Sequence, residues 1–231
     1  MSITKKYDYF IPLCIFGDRS VGKTSLIYRF REDSFEDTCP TIGIEFSDRE
    51  ISVSNRIIKL QCWDTTGDIR FRSTVKMYFR NKAACIVAFD ITDRSTFDSV
   101  PKWVEDLKAI AHENGCMVLV GTKADLENQR KVTREEAAAY ADKVGVKYTE
   151  ISSKTGKGVK ELFNTIASDI LEKIDNGKIV VSDNTAGIRS GNDVSSQVLN
   201  KGKALGDQGE DQGGILGGLT SLICPKKKKS L

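Results

Sequence analysis

Gly17-Asp18-Arg19-Ser20-Val21-Gly22-Lys23-Thr24 fits the pattern G-x-x-x-x-G-K-[ST] with no position missing, and its reading decides the fold. The two glycines let the backbone wrap closely around a ligand. The N–H groups of Asp18, Arg19, Ser20, Val21, Gly22 and Ser25 can then converge on phosphate oxygens, and the following helix turns its positive N-terminus toward the same anion. Lys23 would reach the outer phosphates, and Thr24 would offer a hydroxyl to Mg²⁺, which favours a few hard oxygens. The context agrees: Tyr9 to Phe16 reads as an apolar strand before the loop, and Leu26, Ile27 and Phe30 share one helical face after it.

Further along the chain, a polar loop from Asp33 to Thr41 leads to a hairpin, Gly43 to Val53 and Arg56 to Trp63, joined at Ser54-Asn55. Cys85 to Asp90 and Met117 to Gly121 are short continuous apolar runs, as expected of strands covered on both faces. Between them Ser95 to Glu113 carries Phe97, Trp103, Val104, Leu107 and Ile110 at helical spacing. Thr133-x-x-Glu136 is a capping box opening a helix to Val144; Lys147 to Ile151 is a last strand, and Gly158 to Ile174 a last helix. The alternation predicts an α/β fold, a six-stranded, mostly parallel sheet with one antiparallel hairpin strand and helices on both faces. Ligands of such sheets sit at the carboxyl ends of the strands, where the phosphate loop lies.

At 231 residues the chain accommodates one good domain plus a tail. A net charge of +3 gives no global reason to expect nucleic acid. Cys14, Cys62, Cys85 and Cys116 fall in strand-like apolar runs where a thiol acts as a small hydrophobe, and no C-x-x-C pair or His cluster suggests a metal site. These features, with no signal peptide or spanning stretch, predict a cytoplasmic protein unless its tail anchors it, and a monomer is expected. Past the last helix the composition turns to Asn, Asp, Ser, Gln and Gly. We read residues 8–176 as the folded domain, 177–214 as a disordered linker, and 215–231 as a tail with Cys224 and the lysine run Lys226 to Lys229.

Three further pieces accompany the phosphate loop, each at a strand end. Thr41 could give a second hydroxyl to the metal and sense a γ-phosphate. Asp64-Thr65-Thr66-Gly67 supplies an acid suited to Mg²⁺, directly or through water, and in Gly67 an N–H able to meet the γ-phosphate. Thr122-Lys123-Ala124-Asp125 follows the fifth strand. A carboxylate there can accept from guanine N1–H and the exocyclic amine together, a donor pair adenine lacks. Ser152-Ser153-Lys154 follows the last strand and can close over the base.

These residues resemble the small GTPases of the Ras superfamily, and within it the Rab branch. The resemblance runs from about Asp8 to Ile174 and includes Thr41-Ile42-Gly43-Ile44-Glu45-Phe46, Lys59-Leu60-Gln61-Cys62-Trp63-Asp64-Thr65, Phe71-Arg72-Ser73, Tyr78-Phe79-Arg80 and Phe89-Asp90-Ile91-Thr92. It implies the small G-protein form of the P-loop NTPase fold. It also implies GTP or GDP with Mg²⁺ as ligands, and two loops, around Thr41 and Gly67, that GTP orders and hydrolysis releases. Effectors, an exchange factor and a GTPase-activating protein would be the partners, with Phe46, Trp63 and Tyr78 as the effector-facing aromatics, and vesicle traffic the setting.

The chain departs from the family at five places, one of them a spacing from Thr24 to Thr41 one residue shorter than is usual. Asp68 stands where relatives carry the Gln that orients the attacking water; an ionised carboxylate only accepts, and it adds charge beside the γ-phosphate. Arg19 stands where a small residue is usual and a partner's arginine finger would arrive, to block it or to mimic it. Thr122 replaces the usual Asn, a shorter group with less reach to the base. Cys224 is single, neither a terminal cysteine pair nor a C-a-a-X box; palmitoylation beside the lysines would attach the chain to the cytosolic face of endomembranes. Asp68 and Arg19 predict slow hydrolysis. The competing readings are a hydrolysis-deficient scaffold and, disfavoured by Asp125, an ATP-using enzyme.

Overall fold

A computed structural model describes residues 7–39, 41, 43–68, 79–80, 82–181 and 186–191. Tyr78, Cys224, and the linker and tail beyond 191 lie outside the described residues. The strands are β1 (Tyr9–Phe16), β2 (Ile44–Val53), β3 (Arg56–Thr65), β4 (Ala84–Asp90), β5 (Cys116–Thr122), β6 (Lys147–Glu150) and β7 (Arg189–Ser190). The helices are α1 (Lys23–Glu32), α2 (Arg94–Asp98), α3 (Val100–Lys108), α4 (Arg134–Val144) and α5 (Val159–Asp175).

The sheet runs β2-β3-β1-β4-β5-β6, with β2 antiparallel to β3 and the other neighbours on this path parallel. Period-two alternation explains the continuous apolar runs. Ile11, Leu13 and Ile15 of β1 face one core, shared with Leu26 and Phe30 of α1 and with α5, whereas Cys14 and Phe16 face a second, shared with Phe97, Trp103, Leu107 and Ala137. Ile86 and Phe89 of β4 divide in the same way. On the first face Phe30 stacks on Phe163, ring centroids 3.6 Å apart. Both faces are therefore covered, and the strand ends are left to do chemistry.

Two expectations need correction. The helical run from Ser95 to Glu113 is broken: α2 stops at Asp98, α3 starts at Val100 with Pro101 in its first turn, and the helix ends at Lys108. Proline lacks the N–H that a continuous helix would use, so the break falls just before it. Residues 177–181 and 186–191 are not a disordered linker, since Ile179, Ala186 and Ile188 are buried and β7 joins the sheet, making it seven-stranded. The cause is an open edge. Strand β1 begins at Tyr9 but β4 joins it only at Leu13, and β7 pairs antiparallel with Tyr9 and Phe10 in the gap.

The end of β6 carries a charge network next to the loop that follows it. Glu150 accepts from both terminal nitrogens of Arg130 at 2.8 Å, from Arg134 at 2.8 Å and from the Tyr148 hydroxyl at 2.6 Å. Burial alone would raise the Glu150 carboxyl, but these donors outweigh it and hold it at about 2. A depressed carboxyl stabilises the fold above its unfolded value, near 4.5, and loses that contribution as pH falls from there through 2. In urea titrations Glu150→Gln should therefore lower stability at pH 7 by about 2 kcal/mol, allowing for solvent screening, with the gap to wild type closing progressively below pH 4.5. A gap independent of pH would remove the carboxylate from the explanation.

Candidate functional site

The loop between β1 and α1 is built from the pattern that announced it. Gly17 lies at φ 136°, and a Cβ there would come within 2.1 Å of the Ala88 carbonyl oxygen, so only glycine lets the loop pass β4 so closely. Helix α1 opens at Gly22 with no side-chain cap, leaving its first N–H groups for another acceptor. Lys23 is buried inside the loop, its Nζ donating to Gly17 O at 3.0 Å and Asp18 O at 2.8 Å. Burial pulls its pKa down to about 8 against the opposing pull of Asp64 and Asp18. Asp18 presents its backbone to the loop, while its carboxylate accepts from Trp103 Nε1 at 2.8 Å. Arg19 and Ser20 are exposed at the tip.

Three oxygens predicted from separate motifs meet beside this loop. The Thr24 and Thr41 hydroxyls lie 2.7 Å apart, and Asp64 Oδ2 accepts from both, at 2.6 Å and 2.7 Å. Asp64 Oδ1 is buried with no hydrogen-bond partner, and burial raises the carboxyl despite the two hydroxyls and Lys23. Two hydroxyls and a carboxylate, one of whose oxygens is buried without a partner, are a donor set that fits a hard divalent cation such as Mg²⁺. Gly67 lies against the loop from the other side: a Cβ on it would come within 2.4 Å of Arg19 N and Asp18 C and O. Asp68 follows, its N–H donating to Thr66 Oγ1 at 3.3 Å.

A cavity of about 180 Å³ adjoins the loop, lined by Gly22, Ser25, Phe35, Thr122, Lys123, Asp125, Leu126, Ser153 and Lys154. Thr122 is buried, and its hydroxyl lies 2.6 Å from Val21 O and 2.9 Å from Phe89 O, so the short side chain keeps a tie to the phosphate loop. Lys123 pairs with Asp90 at 2.5 Å. Asp125 is exposed, with Oδ1 accepting from Ser152 Oγ at 2.6 Å, which orients the carboxylate at the cavity rim. Ser152 is itself buried. Phe35 and Leu126 were not among the predicted site residues; the aromatic ring in a polar stretch before Thr41 was the available signal for Phe35. Nothing in the sequence joins Trp103 to Asp18, 85 positions away.

Phe46 and Trp63 sit opposite each other on β2 and β3, ring centroids 5.6 Å apart, with Phe46 63% exposed and Trp63 half-buried. An aromatic so exposed on an edge strand is not accounted for by packing among the described residues. Among the described residues no helix is long and apolar enough to cross a membrane.

With this geometry in place, comparison with known proteins is direct. A model of the Ras family matches residues 12–172. The chain is 44% identical over 174 residues to GTP-binding protein ypt2 of Schizosaccharomyces pombe, covering 74% of this chain and 87% of that one. It is 39% identical over 172 residues to Ras-related protein Rab-4 of Dictyostelium discoideum, covering 74% and 84%. Over 170 residues it is 38% identical to Ras-related protein RABA4b of Arabidopsis thaliana, covering 73% and 76%.

Proposed function

This chain belongs to the Ras family as a Rab-like small GTPase, and on that premise we propose that it is a slowly hydrolysing guanine-nucleotide switch in vesicle traffic. The observation that carries the reading is the meeting of Thr24, Thr41 and Asp64 within 2.7 Å of one another beside the phosphate loop, with a separate cavity lined by Asp125 adjoining the same loop. The loop backbone from Asp18 to Ser25 and Lys23 bind the phosphates. The two hydroxyls and Asp64 hold Mg²⁺, which when bound neutralises developing phosphate charge. Asp125, oriented by Ser152, accepts from guanine N1–H and its amine, while Lys123, Ser153 and Lys154 enclose the base. Thr41 and the Gly67 N–H read the γ-phosphate, so that the two loops differ between the GTP and GDP states.

Phe46 and Trp63 form the face on which effectors read that state, and an exchange factor resets it. Contact with the membrane is peripheral, through Cys224 and the lysines. Asp68 and Arg19 favour a second reading, a scaffold that holds GTP and barely hydrolyses it.

Release of the nucleotide from purified chain, followed by chromatography, tests the ligand. GTP or GDP at close to one per chain is the expected result, with EDTA speeding its exchange at least tenfold on the order expected for a lost cation contact. Bound ATP, or an empty chain that takes up no guanine nucleotide, would overturn the reading.

A further inference from the structure

Arg29 lies in the last turn of α1, in the run Tyr28-Arg29-Phe30-Arg31, where a charged residue between core positions reads as solvent face. Its guanidinium does something more specific. Nε donates to Ser153 O at 2.6 Å, Nη2 to Lys154 O at 2.7 Å and Nη1 to Asp33 O at 2.7 Å. All three acceptors are main-chain carbonyls, so the planar fork fixes backbone position rather than neutralising a carboxylate. Ser153 and Lys154 line one wall of the base cavity; Asp33 starts the loop that brings Phe35 to the other. Arg29 itself does not line the cavity.

We infer that Arg29 is a positioning residue for the base cavity, one guanidinium holding its two walls at a fixed separation so that guanine is retained through a side chain that does not touch it. The inference rests on the guanine-nucleotide reading above. The connection reaches the base contact itself, because Ser152, adjacent to the clamped Ser153, donates to Asp125 at 2.6 Å. It also reaches the first loop, because Asp33 caps α1 with its N–H on Arg29 O at 3.0 Å and a left-handed φ of 54°. Movement at the base wall therefore transmits to the start of the segment that ends at Thr41. Lys160 also holds Asp33, at 2.8 Å, but both side chains are exposed and such a pair holds a loop weakly.

The test measures release of the N-methylanthraniloyl derivatives of GDP and IDP from the full chain with Mg²⁺, chased by unlabelled GDP. IDP lacks the exocyclic amine that Asp125 accepts from. Arg29→Ala and Arg29→Gln should each speed GDP release about 10- to 100-fold, the loss expected for charge-assisted bonds. IDP release should speed up less, so that the ratio between the two contracts. Arg29→Lys keeps the charge but not the fork and should recover less than half of the logarithmic change. Lys160→Ala should stay within about twofold of wild type. GDP release unchanged in Arg29→Ala, equal acceleration of GDP and IDP, or full recovery by Arg29→Lys would each overturn the Arg29 role while leaving the guanine reading intact. A wild-type chain that does not retain GDP overturns the guanine reading, and this inference with it.

Discussion

Replacing Asp68 by Gln should raise the single-turnover rate of GTP hydrolysis about 10²-fold. The attacking water must be held by a group that accepts one of its protons while donating toward the γ-phosphate oxygens, and an amide offers both. An ionised carboxylate offers only acceptance, and its charge opposes the charge that accumulates on the phosphoryl oxygens in the transition state. Asp68 follows Gly67, which lies against the backbone of Asp18 and Arg19. On the reading in which Arg19, exposed at the loop tip, blocks an arriving arginine finger, Arg19→Gly should leave the intrinsic rate within a few-fold but restore stimulation by an arginine-donating activator. Equal rates for wild type and Asp68→Gln would overturn the role given to Asp68 in setting the rate. Stimulation of wild type as large as that of Arg19→Gly would do the same for Arg19.

Patterns that repeat were legible in the sequence. The phosphate loop is a contiguous motif whose residue types are each demanded by backbone geometry, and strands such as β1 and β4 are continuously apolar because both faces are covered. The Thr133 cap was readable for the same reason, although only half of the box forms: Thr133 Oγ1 accepts from Glu136 N, while the Glu136 carboxylate turns to Arg94.

Other features depend on what lies across space. The two residues of β7 have no periodicity of their own, and their pairing follows from the unmatched first residues of β1. Arg29 carries no local signal beyond its charge, and Trp103 reads from sequence as an apolar position at helical spacing. Their polar contacts, to Ser153 and Lys154 and to Asp18, join segments 124, 125 and 85 positions apart, and no local rule predicts which carbonyl or carboxylate will be in reach. Thr122 is a related case. As an isolated substitution it suggests shorter reach, yet its hydroxyl reaches Val21 O because β5 brings the backbone close enough for a short side chain to suffice.

Gly67→Ala should lower the preference for GTP over GDP by about 10- to 100-fold while leaving GDP affinity within a few-fold. The added methyl would lie 2.4 Å from Arg19 N and from both Asp18 C and O, all backbone atoms that cannot rotate away. The segment carrying Gly67 must then withdraw from the phosphate loop. On the proposed reading, what is lost is the Gly67 N–H contact with the γ-phosphate, which only GTP carries, whereas Lys23, Asp125 and the loop would serve both nucleotides alike. Paired titrations with GDP and a non-hydrolysable GTP analogue measure the ratio, and an unchanged ratio would show that the γ-phosphate is read elsewhere. The same displacement makes a second demand. If Gly67 places residue 68, the gain from Asp68→Gln should vanish when Gly67→Ala is added, because an amide moved from the attacking water cannot orient it. Additive effects of the two substitutions would separate nucleotide sensing from water positioning; the contact of Gly67 with the loop predicts that they are one event.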